Sequence, residues 1–123
     1  MKIIIAKDFS TSPGPRLIAE GDFSGEEFRK LTLLPKLKEA ISKGKILTVD
    51  LDGTSGYGTS FLEESFGGLI RTNDYSLKDL EKHLLIKSEE VPDWLEEIKE
   101  YMHDASNEKG KTRGLGTFSS RWP

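Results

Sequence analysis

Asp50 and Asp52 close the apolar run Lys45-Ile46-Leu47-Thr48-Val49-Asp50-Leu51-Asp52. If the run is a strand, both carboxylates point to one face near its C-terminal end, where α/β folds build their sites. Such a pair suits a Mg²⁺ pocket or acid–base work, but Asp at a strand end is most often a turn residue that accepts bonds from local amides. The loop Gly53-Thr54-Ser55-Gly56-Tyr57-Gly58 follows, and then the hydroxyl pair Thr59-Ser60. Its three glycines allow positive φ and close approach by another molecule's backbone. Hydroxyls at a helix start meet unpaired amides and the positive end of the dipole, which favour an added phosphoryl group. Ser60 also fits as a plain N-cap, with Glu63 at the capping-box spacing.

A second constellation is charged. Glu64 and Arg71 are seven residues apart and share a helix face, and Arg16 follows the loop Pro13-Gly14-Pro15 with Glu64 and Asp52 as available partners. The pattern fits a clamp of the first loop onto the helix and fits a ligand site equally well. His83 and His103 lack the i, i+4 spacing of paired ligands. One reads as a strand start and the other as a solvated helix face. The run Ala105-Ser-Asn-Glu-Lys-Gly110-Lys111-Thr112 matches a relaxed phosphate-loop pattern, but it leaves a helix rather than a strand, so a basic tail is the reading. With no Cys, disulfide scaffolds, thiol catalysis and thiolate zinc sites are excluded. No metal and no cofactor are expected.

These residues need elements to hold them. Met1 to Phe9, with Ile3-Ile4-Ile5, reads as a strand, and Arg16 to Ala19 as a short second one. Ser24-Gly25-Glu26-Glu27 forms a capping box, and Phe28, Leu31, Leu34, Leu37 and Ile41 follow at helical spacing to Lys43, with Pro35 imposing a kink or break. Lys45 to Asp52 is a central strand covered on both faces. Leu62, Phe66, Leu69 and Ile70 form the buried stripe of the next helix. Ser76 starts a short helix, Leu84-Leu85-Ile86 is a last strand, and Val91-Pro92-Asp93 opens a final helix lined by Trp94, Ile98, Tyr101 and Ala105. The order implies a small α/β sandwich, its central sheet mostly parallel with helices packed on it.

The 123 residues make one domain, read here as 1–105, with 106–123 a flexible polar tail. Acidic groups number 21 against 18 Lys and Arg, a net charge of −3, which gives no general pull toward nucleic acid or anionic membrane. No apolar run reaches membrane-span length, and the N-terminus lacks signal-peptide character, so a cytoplasmic protein is expected.

The run Val49-Asp50-Leu51-Asp52, loop, Thr59-Ser60-Phe61-Leu62 resembles the STAS fold of anti-sigma-factor antagonists, where a central strand leads by a loop to a phosphorylatable Ser at a helix start. Ser60 falls at the acceptor position and Thr59 on the residue before it, with Gly58 and Phe61 where that family carries Asp and Gly. The STAS-like family DUF4325 is a closer resemblance over residues 1–105. It is carried by Pro13-Gly14-Pro15-Arg16, by Phe23 to Arg29, and by Ser60-Phe61-Leu62-Glu63-Glu64-Ser65-Phe66-Gly67-Gly68-Leu69-Ile70-Arg71.

The resemblance implies a non-enzymatic regulatory module that binds a protein partner, such as a histidine-kinase-like ATPase, through the 53–71 loop and helix. Gly56, Tyr57, Gly58, Phe61, Arg16, Asp52, Glu64 and Arg71 are the expected contact residues. Ser60 and Thr59 are the candidate phospho-acceptors, and no catalytic residue is assigned. The rival expectation is an enzyme or small-ligand binder with Arg16, Asp52, Ser60, Glu64 and Arg71 around a pocket at the strand ends. A third makes the tail, with Lys109, Lys111, Arg113, Phe118, Arg121 and Trp122, an interaction arm.

Overall fold

The computed structural model describes the backbone of residues 1–121 and the side chains as far as Gly110. Three parallel strands form the sheet in the order β1 (Lys2–Ile4), β2 (Leu47–Asp50), β3 (Leu84–Lys87). A helical run over 25–42 (α2) joins the first two strands, and runs over 59–71 (α3) and Leu77–His83 (α4) join the second two. Helix α5 (Asp93–Arg121) follows β3. The architecture is α/β, as the alternation of elements requires.

Right-handed crossovers between strands in the order 1-2-3 place the intervening helices on one face of the sheet. The row Ile3, Val49, Ile86 turns toward them, and Ile3 and Val49 are fully buried. The opposite row is Lys2, Thr48, Leu85, and Leu85 keeps 56% of its surface exposed. The central strand is therefore not covered equally on both faces, contrary to its apolar run. The core lies between sheet and helices, with Phe28, Leu33, Leu37, Phe61, Phe66 and Leu69 at its centre.

Several expected elements change form. The Ile triplet is split, because at Ile5 the chain winds into a single helical turn, α1 (Ile5–Asp8), with Phe9 and Ser10 N–H both donating to Ile5 O. Residues 16–19 are not a strand. Ile18–Glu20 is a 3₁₀ turn in which Glu20 Oε1 accepts from Leu17 N–H, and the loop before it pairs with the start of α2 through Gly25 N–H to Pro15 O and Glu26 N–H to Arg16 O. Pro35 does not break α2: the winding widens to a π form over Phe28–Leu33 just before it, which relieves the clash with the preceding turn. The final helix does not end at residue 105. Ala105 is buried, and one turn later Lys109 donates to Ile70 O at 3.0 Å and pairs with Asp74, so the helix is tied to the domain past its expected end. The phosphate-loop-like run lies within α5. The side chains of Lys111, Arg113, Phe118 and Arg121, and all of Trp122, lie outside the described residues.

Candidate functional site

Helix α3 carries most of the candidate residues, and its two ends differ. Glu63 and Glu64 lie in a second stretch of π winding, Glu63–Gly67. Arg16 Nη1 donates to Glu63 Oε1 at 2.5 Å and stands 3.4 Å from Glu64 Oε1. Arg71 Nη1 donates to Glu63 Oε2 at 2.6 Å, and its Nη2 is 3.4 Å from the same Glu64 oxygen. From beneath, Arg29 bonds Glu64 Oε2 at 2.8 Å, Glu64 O at 3.1 Å and Asn73 Oδ1 at 2.8 Å. Arg29 is 2% exposed and Glu64 7%, so this pair is buried. Burial raises the Glu63 carboxyl, but bonds from Arg71 and Arg16 outweigh it and hold the group below the usual carboxylate range. Its bond to Glu63 raises the Arg16 guanidinium in turn.

Glycine makes room for this arrangement. A Cβ at Gly68 would stand 2.6 Å from Arg29 Nε, one at Gly67 would collide with the Glu63 carboxylate, and one at Gly25 would stand 2.6 Å from Phe61 O. The cluster is thus a clamp that fastens the first loop, α2 and α3 together. Arg29, Glu63 and Asn73 were not singled out from the sequence. Arg29 stands in the sequence only as the end of the run Phe23 to Arg29, and Glu63 reads as the partner of an N-cap. The signal that points to them is the pair Gly67-Gly68 inside an otherwise regular apolar stripe, which marks a close neighbour.

Asp52 belongs to a different network. Its carboxylate accepts from Glu89 N–H (3.0 and 3.1 Å) and Glu90 N–H (3.0 Å), and the Glu90 bond chiefly holds its pKa below the ordinary value. Asp50 Oδ1 accepts from Asp52 N–H at 2.9 Å. Both aspartates therefore act as turn residues at the strand end, and the structure does not gather Asp52 with Arg16, Glu64 and Arg71. Among the described residues no three His, Asp or Glu side chains are grouped to hold a metal ion.

The loop between β2 and α3 is anchored at both sides and exposed between them. Gly53, at φ 91°, donates to Glu90 Oε1 at 2.5 Å, and Gly56, at φ 125°, donates to Thr54 Oγ1. Tyr57 Oη donates to Leu51 O at 2.7 Å, and its ring meets Trp94 edge-on at 4.8 Å. Burial pushes the Tyr57 phenol up to about 12. Phe61, expected at the contact surface, is fully buried against Phe28, Phe9 and Tyr57. Ser60 is not the N-cap: that position is Gly58, with φ −73° and ψ 152°, and no side chain caps the terminus. Thr59 and Ser60 form the first helical turn, Thr59 exposed and Ser60 half-buried. Among the described residues no helix is long and apolar enough to cross a membrane.

A parallel three-stranded sheet, helices on its inner face, and a loop leading from the central strand to a hydroxyl-bearing helix start define a STAS-like α/β domain. The family model for the STAS-like domain of unknown function, DUF4325, matches residues 24–94, more than half of the chain, and the chain belongs to that family. The match leaves out β1 and the Pro13–Arg16 loop, which lie before it. No curated protein and no solved structure matches the chain.

Proposed function

We propose that the chain is a non-enzymatic regulatory module that docks a protein partner, of the histidine-kinase-like ATPase kind, on the 53–60 loop and the first turn of α3. The supporting observation is the contrast along α3. Its charged residues, from Glu63 in the second turn to Arg71, are engaged with one another and with Arg16 and Arg29, whereas its first turn offers an uncapped terminus with Thr59 exposed. A partner can use those amides and hydroxyls without breaking an ion pair. A phosphoryl group on Ser60 gains the same amides and adds about −1.5 to −2 charge to the contact, which makes the surface switchable.

The test begins with the tagged chain as bait in its native cells. The ATPase recovered is then titrated against wild type and against Thr59→Asp/Ser60→Asp. A fall in affinity of tenfold or more is expected, and unchanged affinity rejects this docking surface. Intact mass of the recovered chain, higher by about 80 Da for one phosphoryl group and lacking that increment in Ser60→Ala, is the expected signature of the switch.

A further inference from the structure

The two edges of the sheet are finished differently. At β1 the Ile4 N–H points away from β2 and donates to Asp8 Oδ2 at 2.8 Å, so this edge is closed by the turn of α1. At β3, Leu51 N–H donates to Lys87 O. That bond sets Leu85 and Lys87 toward β2 and leaves the backbone of Leu84 and Ile86 on the outer side. Leu84 N–H is taken by Leu80 O. Among the described residues nothing bonds Ile86 N–H, Ile86 C=O or Leu84 C=O on that side. An open row of this kind is a template for another strand.

The side chains beside this edge are also unfinished. Leu85 is 56% exposed on the face away from the helices, and Ile46, just before β2, is 55% exposed. On the helix side a groove of about 540 Å³ runs along β3 between α4 and α5, with Leu77, Leu84 and Met102 in its walls. Glu81 stands on its α4 wall and Lys99 on its α5 wall.

We propose that β3 is a self-association edge, where a second copy adds its own β3 antiparallel and extends the sheet to six strands. Backbone bonding selects the register. With the two-fold axis at Ile86, the two Ile86 residues exchange both N–H···O bonds. The open N–H and C=O of Ile86 are then both used. Leu85 comes beside Lys87 of the second copy, whose methylenes cover it while its ammonium stays with Asp50 at 3.8 Å and Glu89 at 3.9 Å. The groove carries both signs of charge on its walls, so it is complementary to itself across a two-fold axis.

Sedimentation equilibrium of the full chain is expected to give twice the 13.8 kDa chain mass, and Leu85→Lys is expected to return the monomer with an unchanged circular dichroism spectrum. Ile86→Pro deletes an N–H that the monomer does not use and should also return the monomer. Should that variant fail to fold, hydrogen exchange carries the test: Ile86 N–H should gain protection as protein concentration rises, while Val49 N–H stays constant. A wild-type monomer at every concentration overturns the proposal, as does a dimer that Leu85→Lys leaves intact. Protection of Ile86 that appears only when a different protein is added assigns the edge to a foreign strand and also overturns it.

Discussion

The two ends of α3 treat polar groups in opposite ways. From its second turn onward its charges meet those of the first loop and α2: five side chains, Arg16, Arg29, Glu63, Glu64 and Arg71, satisfy one another, and two of them are buried. In its first turn the polar groups are small and uncharged, Thr59 exposed and Ser60 half-buried, with no side chain capping the terminus. Buried ions are costly unless paired and fully bonded, so once Arg29 is in the core its partners are committed to it. Residue type alone suggests that the charged end is a site. The bonding shows that its charges hold the fold together, which leaves the plainer end free to engage something else.

The sharpest way to break this contrast is to remove the buried cation. Arg29→Met leaves Glu64 without its buried partner and should cost about 3–5 kcal/mol, read as a lower urea midpoint with the slope unchanged. Arg29→Met/Glu64→Leu together should recover most of that loss, because an apolar pair of similar volume needs no desolvation. A single variant as stable as wild type would show that the pair is not a clamp. The clamp also responds to acid. Since the folded-state pKa of Glu63 lies below its ordinary value of 4.5, its stabilisation is present above that value and is lost as pH falls through the lower folded one.

Gly68→Ala tests the same end by crowding it. Its Cβ would stand 2.6 Å from Arg29 Nε, and overpacking of this kind costs about 1–3 kcal/mol. The comparison becomes sharper in the Arg29→Met background, where the obstructing guanidinium is gone and most of the penalty should vanish. Equal penalties in both backgrounds would mean that the glycine serves the helix backbone and not the arginine.

At the loop end the effects are smaller. Tyr57→Phe loses one bond to Leu51 O and should cost about 1 kcal/mol. The phenol gives a pH signature as well. With the folded pKa raised from 10 to about 12, its contribution is intact below pH 10 and disappears as pH rises through 12. Spectrophotometric titration should therefore show one tyrosine ionising last, absent in Tyr57→Phe. A Tyr57 that titrates with a free phenol would mean that the loop is not anchored through its ring.

What was legible beforehand divides along the same line. Patterns that repeat within one element were readable: the stripe Leu62, Phe66, Leu69, Ile70 is buried, Ser76 caps α4 through Asp79 N–H, and β2 and β3 fall where the apolar runs predicted. Features decided by a distant partner were not. The Ile triplet divides because Asp8 captures Ile4 N–H, residues 16–19 become a turn because that loop pairs with α2, and Lys109 holds α5 to the domain past Ala105. In the candidate site, Arg16 and Arg71 both stand against Glu64, while Arg29 was missed because local periodicity does not report that a guanidinium lies under Gly68.

The smallest expected effect bears most directly on the docking surface. Had Ser60 been the N-cap, Ser60→Ala would cost about 1 kcal/mol. The cap is Gly58 and Ser60 lies inside the first turn, so Ser60→Ala should change stability by no more than about 0.5 kcal/mol. Gly58→Asp should add a few tenths of a kcal/mol, roughly the gap between Gly and the better caps. The site admits a side chain, with φ −73° and its nearest neighbour, Ser60 Oγ, 4.0 Å from a Cβ built there. The same substitution places a carboxylate on the amides offered to a partner, so stability should rise while partner affinity falls. Stability and affinity that fall together would mean that Gly58 and Ser60 are parts of the fold, and the contrast between the two ends of α3 would be lost.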